Sequence, residues 1–169
     1  MEFTKRFLRA KSPCADGFRW FSRNVQDGAG YQQALDTLVA AGRVDDACWL
    51  LDQFGPTNEV LTLDTLDAEA LVFAGTLVVR GAIAADRLRV GRALRAGAGL
   101  RTDGDLGVGE DLRVEGALAC GGALKVGGNV RCAWGIEVQG AFEGAGDAHA
   151  ACDLLCHGPL TLAGHALVG

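Results

Sequence analysis

From Leu88 onward an apolar residue stands at every sixth position: Leu88, Leu94, Leu100, Leu106, Leu112, Leu118, Leu124, Val130, Ile136, Phe142, Ala148, Leu154, Leu160 and Ala166. The chain is 49% apolar. An unbroken run of this length would then arise by chance in roughly one register in 20,000, so the repeat constrains the fold before any motif does. The third position of most hexads carries a second apolar residue, as in Val90, Ala96, Val108, Val114, Cys120, Val126, Cys132 and Val138. Residues two apart on a strand face the same way, so each hexad offers a two-residue inward stripe and must then turn.

Glycine supplies that turn. It occupies the fifth position at Gly104, Gly116, Gly122, Gly128, Gly140, Gly146, Gly158 and Gly164, while Arg92, Ala98, Glu110, Trp134 and Cys152 are the exceptions. The expectation is a positive φ at these glycines, which a residue without Cβ tolerates. The same phase runs earlier through Leu71, Leu77 and Ile83, with one five-residue step into Leu88, and Leu61 and Leu66 form a first, less regular rung. A hairpin meander needs longer strands and Asn-Gly-type two-residue turns, which are lacking. The pattern therefore predicts a mainly β fold, a parallel β-helix over residues 57–169. Three hexads per coil would give about six coils and a rod of roughly 30 Å. The size of the third residue alternates with a period of twelve, which would also suit a flatter, two-sided coil; three sides are the expectation, because a two-hexad coil has a very thin core, with two still open.

Residues 1–56 follow another rhythm. Ser12 and Pro13 suit an N-cap and first helical position ahead of Phe18, Trp20, Phe21 and Val25, and Asp27 to Gly30 form a break. A second helix is expected from Tyr31 to Ala41, with Leu35, Leu38 and Val39 inward and Gly42 as its stop. A third has Asp45 and Asp46 in its first turn, where the helix dipole favours negative charge, packs through Trp49, Leu50 and Phe54, and ends at Gly55-Pro56. These helices are expected to dock on the first coil as a cap, since a terminal coil exposes unpaired backbone groups and an open apolar cross-section.

The net charge of −5 offers nothing to attract nucleic acid by bulk charge. Lys5, Arg6, Arg9 and Lys11 are followed by no apolar run of signal-peptide type, and no segment approaches the length needed to span a bilayer. The expectation is a cytoplasmic protein without a transmembrane segment, peripheral membrane contact staying open. At the other end the hexad rhythm continues through the last residues with no charged or helical tail. Leu160, Leu162, Ala166, Leu167 and Val168 are accordingly the candidate self-assembly surface, with the chain itself as partner in a homodimer or polymer.

Two stretches, residues 77–85 (LVVRGAIAA) and 112–119 (LRVEGALA), resemble the alternating apolar and glycine hexads of the bactofilins, bacterial polymer-forming cytoskeletal proteins. The resemblance covers about residues 70–169 and implies a three-sided, right-handed β-helix that polymerises through coil ends. A helical cap of about 55 residues departs from that family, whose solenoids carry short tails, and would favour a closed dimer over a filament. Residues 14–21 (CADGFRWF) and 46–51 (DACWLL) are similar to short helical segments of phage and bacterial proteins. This keeps an alternative in view, a protein-binding inhibitor or immunity-type protein of phage or mobile-element origin that uses the cap or a charged solenoid face.

Hexapeptide acyltransferases also join a helical region to a β-helix. Only Val90-Gly91, Leu106-Gly107 and Val126-Gly127 come close to their repeat, and His149, His157 and His165 are the candidate catalytic histidines without a matching context, so the weaker alternative is an enzyme of that type. Cys152 and Cys156 join these histidines in the C-terminal third, but the repeat sends Cys156 inward and Cys152 to a turn, so the soft ligands do not converge. Reduced cysteines serving as small hydrophobes, with no metal and no cofactor, are the expectation.

The outward second positions carry Arg89, Arg95, Arg101, Arg113, Lys125 and Arg131. With eighteen residues per coil Arg95, Arg113 and Arg131 would stack in one column, where like charges repel unless Asp103, Asp105, Glu110, Asp111 and Glu115 or a ligand neutralise them. They are the candidate face for an anionic partner. The leading expectation is a non-enzymatic structural or interaction protein that assembles through its last coil.

Overall fold

The computed structural model describes residues 2–3, 9, 15–24 and 29–169. Ser12, Pro13, Cys14, Val25, Asp27 and Gly28, which the first-helix reading used, lie outside them. The chain divides into two compact units, Met1–Gly55 and Pro56–Gly169.

In the first unit β1 (Glu2–Phe3) pairs antiparallel with β2 (Ala29–Gly30), and three described helices are α1 (Ala15–Asn24), α2 (Tyr31–Ala40) and α3 (Val44–Phe54). Tyr31, Ala34, Leu35 and Leu38 recur at helical spacing and form the buried face of α2, which faces Ala47, Leu50 and Leu51 of α3. Val39 and Trp49, expected inward, are only half-buried, and Leu51 takes the inward place on α3. Gly42 adopts φ 74° and ends α2, and Gly55 does the same for α3 at φ 79°, a conformation that costs glycine nothing. The Tyr31 hydroxyl donates to the Gly55 carbonyl at 2.8 Å, tying the first turn of α2 to the end of α3.

The second unit is a parallel β-solenoid of about six turns. It opens with β3 (Val60–Leu63), β4 (Leu66–Phe73), β5 (Thr76–Val79) and β6 (Ile83–Val90). Three-residue strands then follow, one per hexad: β7 (Leu94–Ala96), β8 (Leu100–Thr102), β9 (Leu106–Val108), β10 (Leu112–Val114), β11 (Leu118–Cys120) and β12 (Leu124–Val126). The last seven are β13 (Val130–Cys132), β14 (Ile136–Val138), β15 (Phe142–Gly144), β16 (Ala148–Ala150), β17 (Leu154–Cys156), β18 (Leu160–Leu162) and β19 (Ala166–Val168).

Each strand pairs with the strand three hexads away. Leu112 sits opposite Leu94 and Val130, and Leu118 opposite Leu100 and Ile136. This register makes the coil three-sided and removes the two-sided geometry. One face is β3, β5, β7, β10, β13, β16 and β19. The other two are joined through β6, whose first half pairs with β8 and second half with β9. There the five-residue steps from Leu66 to Leu71 and Ile83 to Leu88 leave no room for a glycine turn, and β4 and β6 run continuously around a corner.

Every strand of the middle coils sends its first and third residues inward, as with Leu112 and Val114, both 1% exposed. The period-twelve alternation acquires its meaning on an eighteen-residue coil. Cys132 stacks on Val114, Val138 on Cys120 and Gly144 on Val126, so at this step a small side chain meets a large one in each of the three columns, which keeps a narrow core filled; in the coils before it Val126 stacks on Val108 and Val108 on Val90. Gly144 also clears the space that Leu162 enters, since a Cβ there would lie 2.6 Å from Leu162 Cδ2.

The turn glycines depart from expectation. None of the fifth-position glycines has a positive φ; among the described glycines only Gly42, Gly55 and Gly169 do. Their cause is close approach. Turns stack at hydrogen-bond distance, as in Gly140 N–H donating to Gly122 O at 3.0 Å, and a Cβ on Gly140 would lie 2.8 Å from that same oxygen.

Candidate functional site

The last coil differs from the rest. β17, β18 and β19 each pair on one side only, with β14, β15 and β16. The columns that are closed further down are open here: Leu160 is 43% and Val168 53% exposed, against 1% for Leu106 and Val114 in the same columns. Ala166 is exposed as well, while Leu154, Cys156 and Leu162 are half-buried and pack on the core. Leu167 belongs elsewhere. It lies in register with His149 on the outward side of β19, so it borders the coil end and continues a lateral column.

That column is the arginine face. Val78, Arg95, Arg113, Arg131, His149 and Leu167 stand in successive register on β5, β7, β10, β13, β16 and β19, so the stacking expected for the three arginines is realised. Their neutralisation is only partial. Arg113 Nε donates to Glu115 Oε1 at 2.5 Å, whereas Arg95 and Arg131 form no ion pair among the described residues. Arg101 pairs with Asp103 at 3.4 Å and Arg92 with Glu110 at 2.9 Å, both away from this column. A cleft of about 110 Å³ opens between Arg113, Glu115, Arg131, Ala133 and His149.

Asp105 and Asp111, expected to balance arginines, do something else. Asp105 Oδ1 accepts from Ala123 N–H at 2.9 Å and Asp111 Oδ1 from Asn129 N–H at 2.8 Å. The second series continues, with Asn129 Oδ1 accepting from Asp147 N–H and Asp147 Oδ1 from His165 N–H, each at 2.8 Å. One corner therefore carries a ladder of Asp and Asn side chains, each binding the backbone one coil on. This supplies acceptors for turn amides that the sheet ladder leaves out.

The histidines and cysteines of the C-terminal third are spread over different sides. His149 lies on β16, His157 Nε2 is 3.9 Å from Glu137 Oε1, and His165 Nδ1 is 3.6 Å from Asp147 Oδ1. Cys152 is exposed at a corner, and Cys156 Sγ faces the carbonyls of Gly140 and Gly158 at 3.5 and 3.4 Å. Cys120 makes the same contacts two coils earlier, to Gly104 and Gly122 at 3.5 Å. Burial pushes the Cys132 thiol up to about 12 by disfavouring the thiolate. Among the described residues no group of His, Cys, Asp and Glu gathers in a metal-ligand cluster.

Two exposed apolar side chains escaped the sequence reading. Trp134, 64% exposed, and Leu155, 50% exposed, flank a groove of about 440 Å³ floored by Ala117 and Ala119. The available signal was substitution against type: tryptophan at a fifth position usually held by glycine, and leucine at an outward position usually held by a polar residue.

No described helix is long and apolar enough to cross a membrane. No curated protein and no solved structure matches the chain. Residues 1–55 match the family model of the YdhT N-terminal domain, so it is the helical unit that carries a family likeness.

Proposed function

We propose that the chain is a non-enzymatic structural protein that self-assembles through the last coil of its solenoid, the partner being a second copy of itself. The observation that carries this is the opening of the inward columns at Leu160, Ala166 and Val168, beside strand edges paired on one side only. Completing the burial of each half-exposed aliphatic side chain contributes about 1 kcal/mol, and a facing coil would satisfy the edge amides and carbonyls. An isologous contact between two such ends closes as a dimer. The bactofilin-like hexads of residues 77–85 and 112–119 fit this reading, as does the regular, rigid solenoid.

Light scattering on the full chain across a concentration series, beside a variant carrying Leu162→Asp and Val168→Asp, tests it. A wild-type dimer or polymer with a folded monomeric variant is expected. A monomeric wild type at all concentrations overturns it. A second reading, a protein that binds and inhibits a target, is favoured by the unpaired Arg95 and Arg131 on the lateral face.

A further inference from the structure

We infer that the outward face of β7, β10, β13 and β16 docks a short, extended acidic segment of another protein, with carboxylates on Arg95, Arg113 and Arg131 and apolar residues at either end. The face is lateral to the coil end, so the inference stands independently of self-assembly. Its first support is charge. Parallel strands lie about 4.8 Å apart, so Arg95 and Arg131 hold their backbones about 10 Å apart with Arg113 between them. Among the described residues only Arg113 of the three has a carboxylate partner, Glu115. Such a column in a chain of net charge −5 carries a repulsion that an external anion relieves.

The boundaries of the column select the kind of anion. Val78 precedes Arg95 and Leu167 follows His149 in register, so the strip reads apolar, three cations, histidine, apolar. A long uniform polyanion such as duplex nucleic acid would overrun it onto Glu110, Asp111 and Asp147, which lie at the adjoining corner. The cleft of about 110 Å³ between Arg113, Glu115, Arg131 and His149 has room for a carboxylate on its Arg131 and His149 side, away from the Glu115 carboxylate that holds Arg113, yet is well below the roughly 300 Å³ of a site that encloses a small organic ligand. In an extended peptide alternate side chains on one side repeat about every 6.8 Å. Three acidic residues at alternate positions therefore span about 14 Å, against about 10 Å between the Arg95 and Arg131 backbones, a difference that the long arginine side chains take up by splaying along the column. At Arg95 and Arg131 the guanidinium fork offers a carboxylate two donors, an arrangement that lysine cannot reproduce, while Arg113 shares its charge with Glu115.

The test is fluorescence anisotropy with the full chain and a labelled synthetic peptide carrying three glutamates at alternate positions between terminal leucines. Its glutamine counterpart, a short DNA duplex and phosphatidylserine vesicles are run beside it. Binding of the glutamate peptide is expected at low salt, weaker as salt rises. It should fall at least about tenfold for the glutamine peptide and for the double variant Arg95→Glu, Arg131→Glu. Circular dichroism checks that this variant is folded, and the double variant Arg95→Gln, Arg131→Gln, which only removes charge, should lose affinity in the same direction. The variant Leu162→Asp should bind like the wild type. No binding of the glutamate peptide, equal binding of its glutamine counterpart, indifference to both arginine variants, or tighter arginine-dependent binding of DNA or vesicles would each overturn the inference.

Discussion

Replacing Gly140 by alanine separates the two reasons a turn can demand glycine. A Cβ at Gly140 would lie 2.8 Å from Gly122 O, 2.9 Å from Gly122 C and 3.1 Å from Ala123 N. All three atoms are backbone of the neighbouring coil and cannot rotate away, so the turn must shift and weaken the ladder bond from Gly140 N–H to Gly122 O. Overpacking of this sort costs about 1–3 kcal/mol, against about 0.4–1 kcal/mol returned by the smaller conformational freedom of the unfolded chain. The net expectation for Gly140→Ala is a loss of about 1–2 kcal/mol. Gly99 is the control. It also sits in a turn, but its Cβ would meet only Ala117 O, at an ordinary 3.5 Å, so Gly99→Ala should stabilise by about 0.4–1 kcal/mol. Urea unfolding followed by circular dichroism, with midpoints compared at a common slope, reads both. Equal destabilisation by the two substitutions would refute close approach as the cause and return the argument to backbone conformation.

Three further outcomes are expected. Leu118→Ala, at a side chain 1% exposed in the middle of the core, should cost about 3–4 kcal/mol in the same assay through lost burial and a cavity that stacked coils cannot close; a loss under about 1 kcal/mol would mean the core repacks. Asn129→Ala removes the acceptor of Asp147 N–H at an exposed corner and should cost about 1 kcal/mol, with faster amide exchange at Asp147; unchanged exchange there would deny the ladder a protective role. The Cys132 thiol, raised from 9.0 to about 12, keeps its proton in the native state while the unfolded chain releases it above pH 9. Its contribution is therefore complete below pH 9 and is lost as pH rises toward 12, with a slope approaching about 1.4 kcal/mol per pH unit. Wild-type stability should fall more steeply than that of Cys132→Val over this window, and parallel profiles would remove Cys132 as the source.

How much was legible in the chain follows from which forces act within a hexad and which act between coils. The apolar first and third positions report burial directly, so the strands and the inward placement of Leu112, Val114 or Cys120 could be read. The number of sides could be read only as a preference for three over a thin two-sided core, because the size alternation repeats every two hexads while the coil repeats every three. The glycines at turns were visible, but their reason was not, since the clash that excludes a side chain comes from a carbonyl eighteen residues away. Asp105 and Asp111 looked like counter-ions for arginine on the same grounds; only the coil length places a backbone amide within their reach. On the lateral face the stacking of Arg95, Arg113 and Arg131 was readable from spacing, whereas the isolation of Arg95 and Arg131 from any carboxylate needed side-chain geometry. Trp134 and Leu155 were missed because their neighbours across coils, Ala117 and Ala119, turn two unrelated positions into one apolar groove.

The mismatch between a two-hexad size rhythm and a three-hexad coil also limits how such a chain can change length. Duplicating one coil of the middle region would set Val114 above another Val114, the contact that Val90, Val108 and Val126 already make, and Cys120 above another Cys120, so the large-on-small pairing would be lost at that step. Duplicating two coils would preserve every large-on-small contact. Between Val114 and Gly144, where this rhythm holds, insertion of two coils should be tolerated better than insertion of one, so the core adds a preference of length to the single-coil step that the hydrogen-bond ladder alone would set.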